Sequence, residues 1–281
     1  MEPPSLRVRT VEIADPGQLL ELLPDPSSYV WLRRGEGLVG WGVAAERRTT
    51  GADRFLVSAD WWRAVSARAE VEDDVDVPGS GLVSFGGFAF ADHTGDSALV
   101  VPRVVVGRRN GIAWLTTITP ADEPAPATPE LARYPEPESS GPVAFSDGAL
   151  DGESWMGVVA DAVSRIAAGD LEKVVLARDL LAHTEQPFDV RRPLRRLARG
   201  YPMCWTFHVD GWFGATPEML VRRERGLVTS RVLAGTIRRT GDDAHDLGLA
   251  AALARSSKDL EEHEYAVRSV AEALAPYCSS T

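Results

Sequence analysis

Apolar and polar positions alternate along much of this chain with the two-residue period of half-buried strands, and the alternating runs come in pairs closed by tight turns. Residues 29–32 and 37–44 form one such pair around Arg33-Arg34-Gly35-Glu36. Residues 100–107 and 112–118 form a second, turned at Arg109-Asn110-Gly111; 203–209 and 212–215 form a third, around Asp210-Gly211. Residues 219–223 and 227–233 complete the series around Glu224-Arg225-Gly226. Glycine after a polar residue supplies the left-handed backbone that a two-residue hairpin turn requires. Two further runs read as buried strands. Residues 81–90 carry the pair Gly86-Gly87, a mark of a bulge or a close backbone approach. Residues 171–178, Leu-Glu-Lys-Val-Val-Leu-Ala-Arg, follow the punctuation Gly169-Asp170.

Helical spacing takes over elsewhere. Trp61, Trp62, Val65 and Ala69 predict a helix over 58–71, with Ser58 or Asp60 as its cap, and Glu72-Asp73-Asp74 beyond it reads as a solvated acidic loop. Trp155, Val158, Val159, Ala162, Val163 and Ile166 form a buried stripe over 153–168, closed by Gly169. Asp189 caps a basic helix that ends at Gly200, whose arginines read as a solvated face beside buried Leu194 and Leu197. Helices over 244–255 and 259–275 follow, the last stopped by Pro276. Residues 120–142, rich in Pro, Ala, Glu and Ser and without periodicity, read as a mobile loop or linker. Hairpins flanked by helices predict an α+β fold of layered antiparallel sheets. Its expected parts are a strand-rich portion (1–131), a linker (132–150) and a catalytic region (151–281), within one structural domain.

Composition narrows the function. The 281 residues are 44% hydrophobic and 25% charged, with a net charge of −11 from 41 acidic and 30 basic residues. An acidic chain with no basic block is a poor partner for nucleic acid. It also repels an anionic substrate unless cations or a metal are placed locally. Two cysteines, Cys204 and Cys278, give neither metal-ligand spacing nor a disulfide framework, and no signal peptide or membrane-length apolar run occurs. The expectation is a cytoplasmic protein without a membrane partner.

Four stretches carry candidate chemistry. Lys173 stands at the start of the 171–178 run; buried there, it would lose hydration and shift towards a usable base, while at a strand end it would simply snorkel into water. Gly214-Ala215-Thr216-Pro217-Glu218 turns sharply at Pro217 and presents Glu218 either as a general acid among apolar strands or as a plain loop carboxylate. Leu233-Ala234-Gly235-Thr236 offers close backbone approach and a hydroxyl, or only a turn. Ser257-Lys258-Asp259-Leu260-Glu261-Glu262-His263-Glu264 clusters carboxylates in a first helical turn, where the helix dipole alone favours them. Glu262 lies off the apolar stripe beside Ala266, Ser269 and Ala273, leaving room for a ligand, and magnesium needs only one or two carboxylates. The HExxH zinc pattern is absent.

The ordered set KVVLAR, GATPE, LAGT and SKDLEEHE resembles the chorismate-utilising enzymes over about 151–277, and Ser84-Phe85-Gly86-Gly87-Phe88-Ala89-Phe90 is similar to that family's glycine-aromatic strand. The resemblance implies the anthranilate synthase component I type of fold. Lysine at position 173 goes with the water-using members, the isochorismate and salicylate synthases, so no glutamine amidotransferase subunit is expected. It implies that Lys173 is the base activating water, Glu218 the acid at the departing hydroxyl and Glu262 a magnesium ligand. Ala234, Gly235 and Thr236 would line the chorismate pocket. The implied activity is isochorismate synthase, for menaquinone or siderophore formation, with salicylate synthase as the alternative. Family members continue past this chain's last residues with a further metal-binding glutamate and a substrate-binding arginine. The chain therefore reads as a C-terminally truncated member, incomplete in fold, and its shortened form as a fragment that needs the remaining segment.

Overall fold

The computed structural model describes residues 3–93, 95–124, 128–234, 237–238 and 240–279, with the side chains of residues 258 and 259 excepted. The chain divides into two compact units, one of residues 1–140 with 186–217 and one of 141–185 with 218–281. It crosses between them three times, so residues 186–217 return to the unit built by the N-terminal half.

The first unit is built on an eight-stranded sheet. Its spatial order is Trp212–Thr216, Trp205–Val209, Tyr29–Arg33, Glu36–Trp41, Val104–Arg109, Ile112–Pro120, Leu6–Ile13 and Glu70–Asp73. All neighbours are antiparallel except the last pair, Leu6–Ile13 with Glu70–Asp73. A smaller sheet runs Ala45–Thr49, Ser97–Val101, Phe85–Gly87. The hairpin turns fall where the sequence places them. Arg34-Gly35, Asn110-Gly111 and Asp210-Gly211 all have positive φ at both central residues, the signature of a primed turn that matches strand twist.

Helix Arg191–Gly200 explains the return of the chain to this unit. Val190 and Leu194 join Leu19, Leu22, Val30 and Val39 in one apolar cluster. Its arginines form a solvated face only in part, at Arg196 and Arg199. Arg195 is 6% exposed and donates to the carbonyls of Leu20 and Tyr134, and Arg191 donates to the carbonyls of Leu23 and Pro24. Arg192 reaches the Pro137 carbonyl, and Glu136 accepts from Arg199. These bonds stitch residues 134–137 onto the helix, so that part of the expected mobile linker is held by charge-assisted hydrogen bonds. Residues 70–73 likewise differ from the expected acidic loop: they pair with Leu6–Ile13 as an edge strand, which keeps their carboxylates in water. The helix expected at 58–71 spans Arg54–Arg68.

The second unit carries two two-stranded sheets and three α-helices among its described residues. Val143–Asp147, inside the expected linker, pairs with Leu180–Thr184, and Met219–Glu224 pairs with Leu227–Arg231. Helix Gly152–Ala167 is capped by the Asp151 side chain, which accepts from the Ser154 amide at 2.7 Å, and Gly169 beyond it takes φ +83°. Helices Asp243–Arg255 and Ser257–Leu274 follow. Two expectations fail in this unit. Residues 171–178 form no strand, because they find no ladder partner among the described residues, and Val175 is 83% exposed. Branched residues favour a pleated surface but cannot supply the neighbouring chain that makes one. The stripe of helix Gly152–Ala167 is not buried as a whole either: Ala162 is covered, while Val163 and Ile166 are 60% and 41% exposed. No helix among the described residues is long and apolar enough to cross a membrane.

Candidate active site

The second unit brings three of the predicted site residues to one cavity of about 610 Å³. Lys173 reaches it from the extended segment after helix Gly152–Ala167, Ala234 from just beyond strand Leu227–Arg231, and Glu262 from the second turn of helix Ser257–Leu274. Lys173 Nζ donates to the backbone carbonyl of Glu262 at 3.3 Å, across 89 positions of sequence. Lys173 and Glu262 are both half-buried. The lysine amine therefore stands beside the helix turn that carries the carboxylate. This is the juxtaposition that a base working on a metal-held substrate needs.

Other predicted positions separate from this cluster. Glu218 is exposed and stands immediately before strand Met219–Glu224, and it does not line the cavity. The apolar cradle expected around it is absent because Pro217 ends one hairpin and Met219 begins another, leaving Glu218 on the link between them. Gly235 and Thr236 lie outside the described residues; Leu233 and Ala234, which lead to them, line the cavity.

Sequence reasoning missed further lining residues. Glu261 and Tyr265 share the helix with Glu262, and Ile166 and Glu172 enter from the other side. Tyr265 follows Glu261 and Glu262 by four and three positions, the spacing that places side chains on one helical face, so it was legible from Glu262 onward. Arg268 sits over the Tyr265 ring, 5.0 Å from its centroid.

The carboxylates test the magnesium expectation. Among the described residues no group of three His, Cys, Asp or Glu side chains is arranged to hold a metal. Glu261 and Glu262 nevertheless give the cavity hard oxygen donors, and magnesium commonly takes only one or two carboxylates, completing its shell with water and substrate oxygens. The donor set fits that pattern.

Antiparallel sheets with helices in both units define an α+β fold. The model of the chorismate binding enzyme family matches residues 7–281, and the chain belongs to that family. Over 296 aligned residues it is 30% identical to the "Salicylate biosynthesis isochorismate synthase" of Pseudomonas aeruginosa, covering 95% of this chain and 61% of that protein. It is 27% identical to isochorismate synthase MenF of Bacillus subtilis, covering 86% of this chain and 57% of the relative. Among solved structures, the putative 2,3-dihydroxybenzoate-specific isochorismate synthase DhbC of Bacillus anthracis superposes with a TM-score of 0.66 at 25% identity, over 93% of this chain and 63% of that one. The menaquinone-specific MenF of Escherichia coli gives 0.73 at 22% identity, over 97% and 64%, and speaks for the fold alone. The chain thus spans about three fifths of the length of these relatives.

Proposed function

We propose that the Lys173 cavity binds chorismate and that the protein converts it to isochorismate. The observation that carries the reading is the meeting of Lys173 Nζ with the Glu262 turn at a cavity also lined by Ala234. In this reading Lys173 takes a proton from the water that attacks C2 of the ring. The ring double bonds shift, the C4–oxygen bond breaks, and the hydroxyl leaves as water with a proton from Glu218. The acid role of Glu218 rests on the motif Gly214–Glu218, not on the cavity. Glu262, with Glu261 beside it, would hold magnesium, which would supply positive charge for the carboxylates of a dianion in a chain of net charge −11. Names among the relatives divide between salicylate, menaquinone and 2,3-dihydroxybenzoate, and the reading accordingly stops at isochorismate as product. Siderophore or menaquinone supply is its metabolic setting.

The test is incubation with chorismate and magnesium followed by chromatography. Isochorismate is the expected product; salicylate with pyruvate would favour the salicylate synthase reading. Lys173→Ala is expected to lower turnover by about 10²–10⁴-fold, and Glu262→Gln to raise the magnesium concentration needed for half-maximal rate. Turnover that survives Lys173→Ala removes the assigned base. Failure of the chain to bind chorismate in the presence of magnesium removes the reading altogether.

A further inference from the structure

A second cavity lies wholly in the first unit and shares no residue with the Lys173 cavity; its volume is about 180 Å³. Five arginines line it, Arg33, Arg34, Arg108, Arg195 and Arg199, and no carboxylate does. This is an unusual concentration of positive charge in a chain of net charge −11. Arg108 pairs with Asp15 at 3.0 Å and Arg199 with Glu136 at 2.9 Å. Arg34 and Arg195 form no ion pair among the described residues. Arg34 Nε is spent on the Met203 sulfur at 3.2 Å.

Arg195 is the informative member. It is 6% exposed, it donates through Nη2 to the carbonyls of Leu20 and Tyr134, and its buried Nε has no hydrogen-bond partner. Burial pulls its guanidinium below the usual arginine range, with Glu21 and Glu136 opposing from a distance. A buried cation without a counter-ion is costly, and a carboxylate beside it would remove much of that cost. Leu19, Leu20, Leu32, Ala198 and Pro202 give the cavity an apolar side, and Gln18 and Thr206 are its polar side chains besides the arginines. A cavity of roughly 150 Å³ already admits a benzene ring.

We propose that this cavity is a binding site for a small carboxylate with an apolar, ring-sized body, its charge facing Arg34 and Arg195 and its body lying against Leu20 and Leu32. The site is independent of the Lys173 cavity and of the function proposed there. Because Arg34 belongs to the turn of hairpin 29–41 and Arg195 to helix Arg191–Gly200, the occupant would tie these elements together and stabilise the first unit by mass action.

The test uses the full chain with benzoate as probe, inorganic phosphate as an anion without an apolar body, and benzyl alcohol as the uncharged body. Calorimetry and thermal unfolding are expected to show saturable benzoate binding that raises Tm, with both controls at least about tenfold weaker. Arg34→Gln and Arg195→Met are each expected to weaken benzoate about tenfold or more, whereas Lys173→Ala leaves it unchanged. If Arg195→Met does not fold, Arg34→Gln decides. No saturable benzoate binding, phosphate or benzyl alcohol binding as tightly, indifference to Arg34→Gln, or loss of binding in Lys173→Ala would each overturn the assignment.

Discussion

The two units use the same local vocabulary and reach different ends. In the first, hairpins and helices close over three apolar clusters, with Leu6, Val30, Val39, Val65, Val105 and Leu194 fully covered. In the second, the most covered hydrophobic residue among the described positions is Ala162, still 9% exposed. The second unit holds the Lys173 cavity and a further one of about 560 Å³ between strand Leu227–Arg231 and helix Ser257–Leu274. Amphipathic patterning sets which face of an element is apolar; only a second layer turns that face into a core. The candidate chemistry thus sits in the unit with fewer buried contacts, and the tightly packed unit carries the arginine-lined cavity.

The largest test of this contrast is a matched pair of leucines. Leu194→Ala, at a side chain with no exposure, is expected to cost the first unit about 2–5 kcal/mol. Leu220→Ala, at 76% exposure, is expected to change the second by less than about 0.5 kcal/mol. Hydrogen exchange of each unit's own strands reads the two values separately. Similar losses in both would mean that the exposed faces of the second unit are covered in solution.

Glycines give the next contrast. A Cβ at Gly107 would overlap Cε2 and Cζ2 of Trp114, a side chain 1% exposed whose Nε1 is held by the Gly79 carbonyl at 3.2 Å. Gly107→Ala is expected to destabilise by about 1–3 kcal/mol. Gly157, within helix Gly152–Ala167, has nothing within 4 Å of its added Cβ. Gly157→Ala should stabilise its helix by about 0.4–1 kcal/mol through the unfolded chain. Denaturation of the two variants checks opposite signs for one chemical change.

A smaller effect is expected from His208, 3% exposed on strand Trp205–Val209, where Nδ1 contacts the Ser28 carbonyl. Burial lowers its pKa below the ordinary 6.5, outweighing the Ser28 contact and Asp210, which raise it. Between the folded and unfolded values the unfolded chain holds more protons, so stability falls as pH drops through 6.5 and levels off below the folded value. The Tm of the first unit should decline over that window, and His208→Gln should flatten the decline. An unaltered slope would take His208 out of the acid response.

Much of this was legible in sequence, for reasons that differ by element. The four hairpins were visible because each turn carries a residue pair, Asn110-Gly111 or Arg225-Gly226 for instance, whose backbone geometry is a local property. The helix expected over 153–168 was visible through its apolar stripe and Gly169, and it spans Gly152–Ala167. The 171–178 segment was misread because its composition reports a preference for a pleated surface, while strand formation depends on a partner elsewhere. Arg191 and Arg195 were misread because a run of arginines looks solvated unless the carbonyls waiting for them, at Leu23 and Tyr134, are known. In the site, Lys173 and Glu262 line one cavity. Glu218 did not join them, since a turn motif fixes its own geometry but not its distance from residues 45 positions away.

The smallest expected effect tests the second unit's reliance on local structure. Where tertiary cover is sparse, a helix depends more on its own ends than on packing. Helix Gly152–Ala167 has such an end: the Asp151 carboxylate accepts from the Ser154 amide, and that bond holds its pKa below the usual carboxylate range. The cap is complete above the unfolded aspartate value and is lost as pH falls through the lowered one. Asp151→Ala should therefore speed exchange of the first-turn amides several-fold at neutral pH and leave the strands of the first unit untouched. Asp151→Asn, which keeps an acceptor but no charge, should recover most of the protection and remove its acid dependence. Equal protection in Asp151→Ala and the parent chain would show that packing, and not the cap, holds this helix.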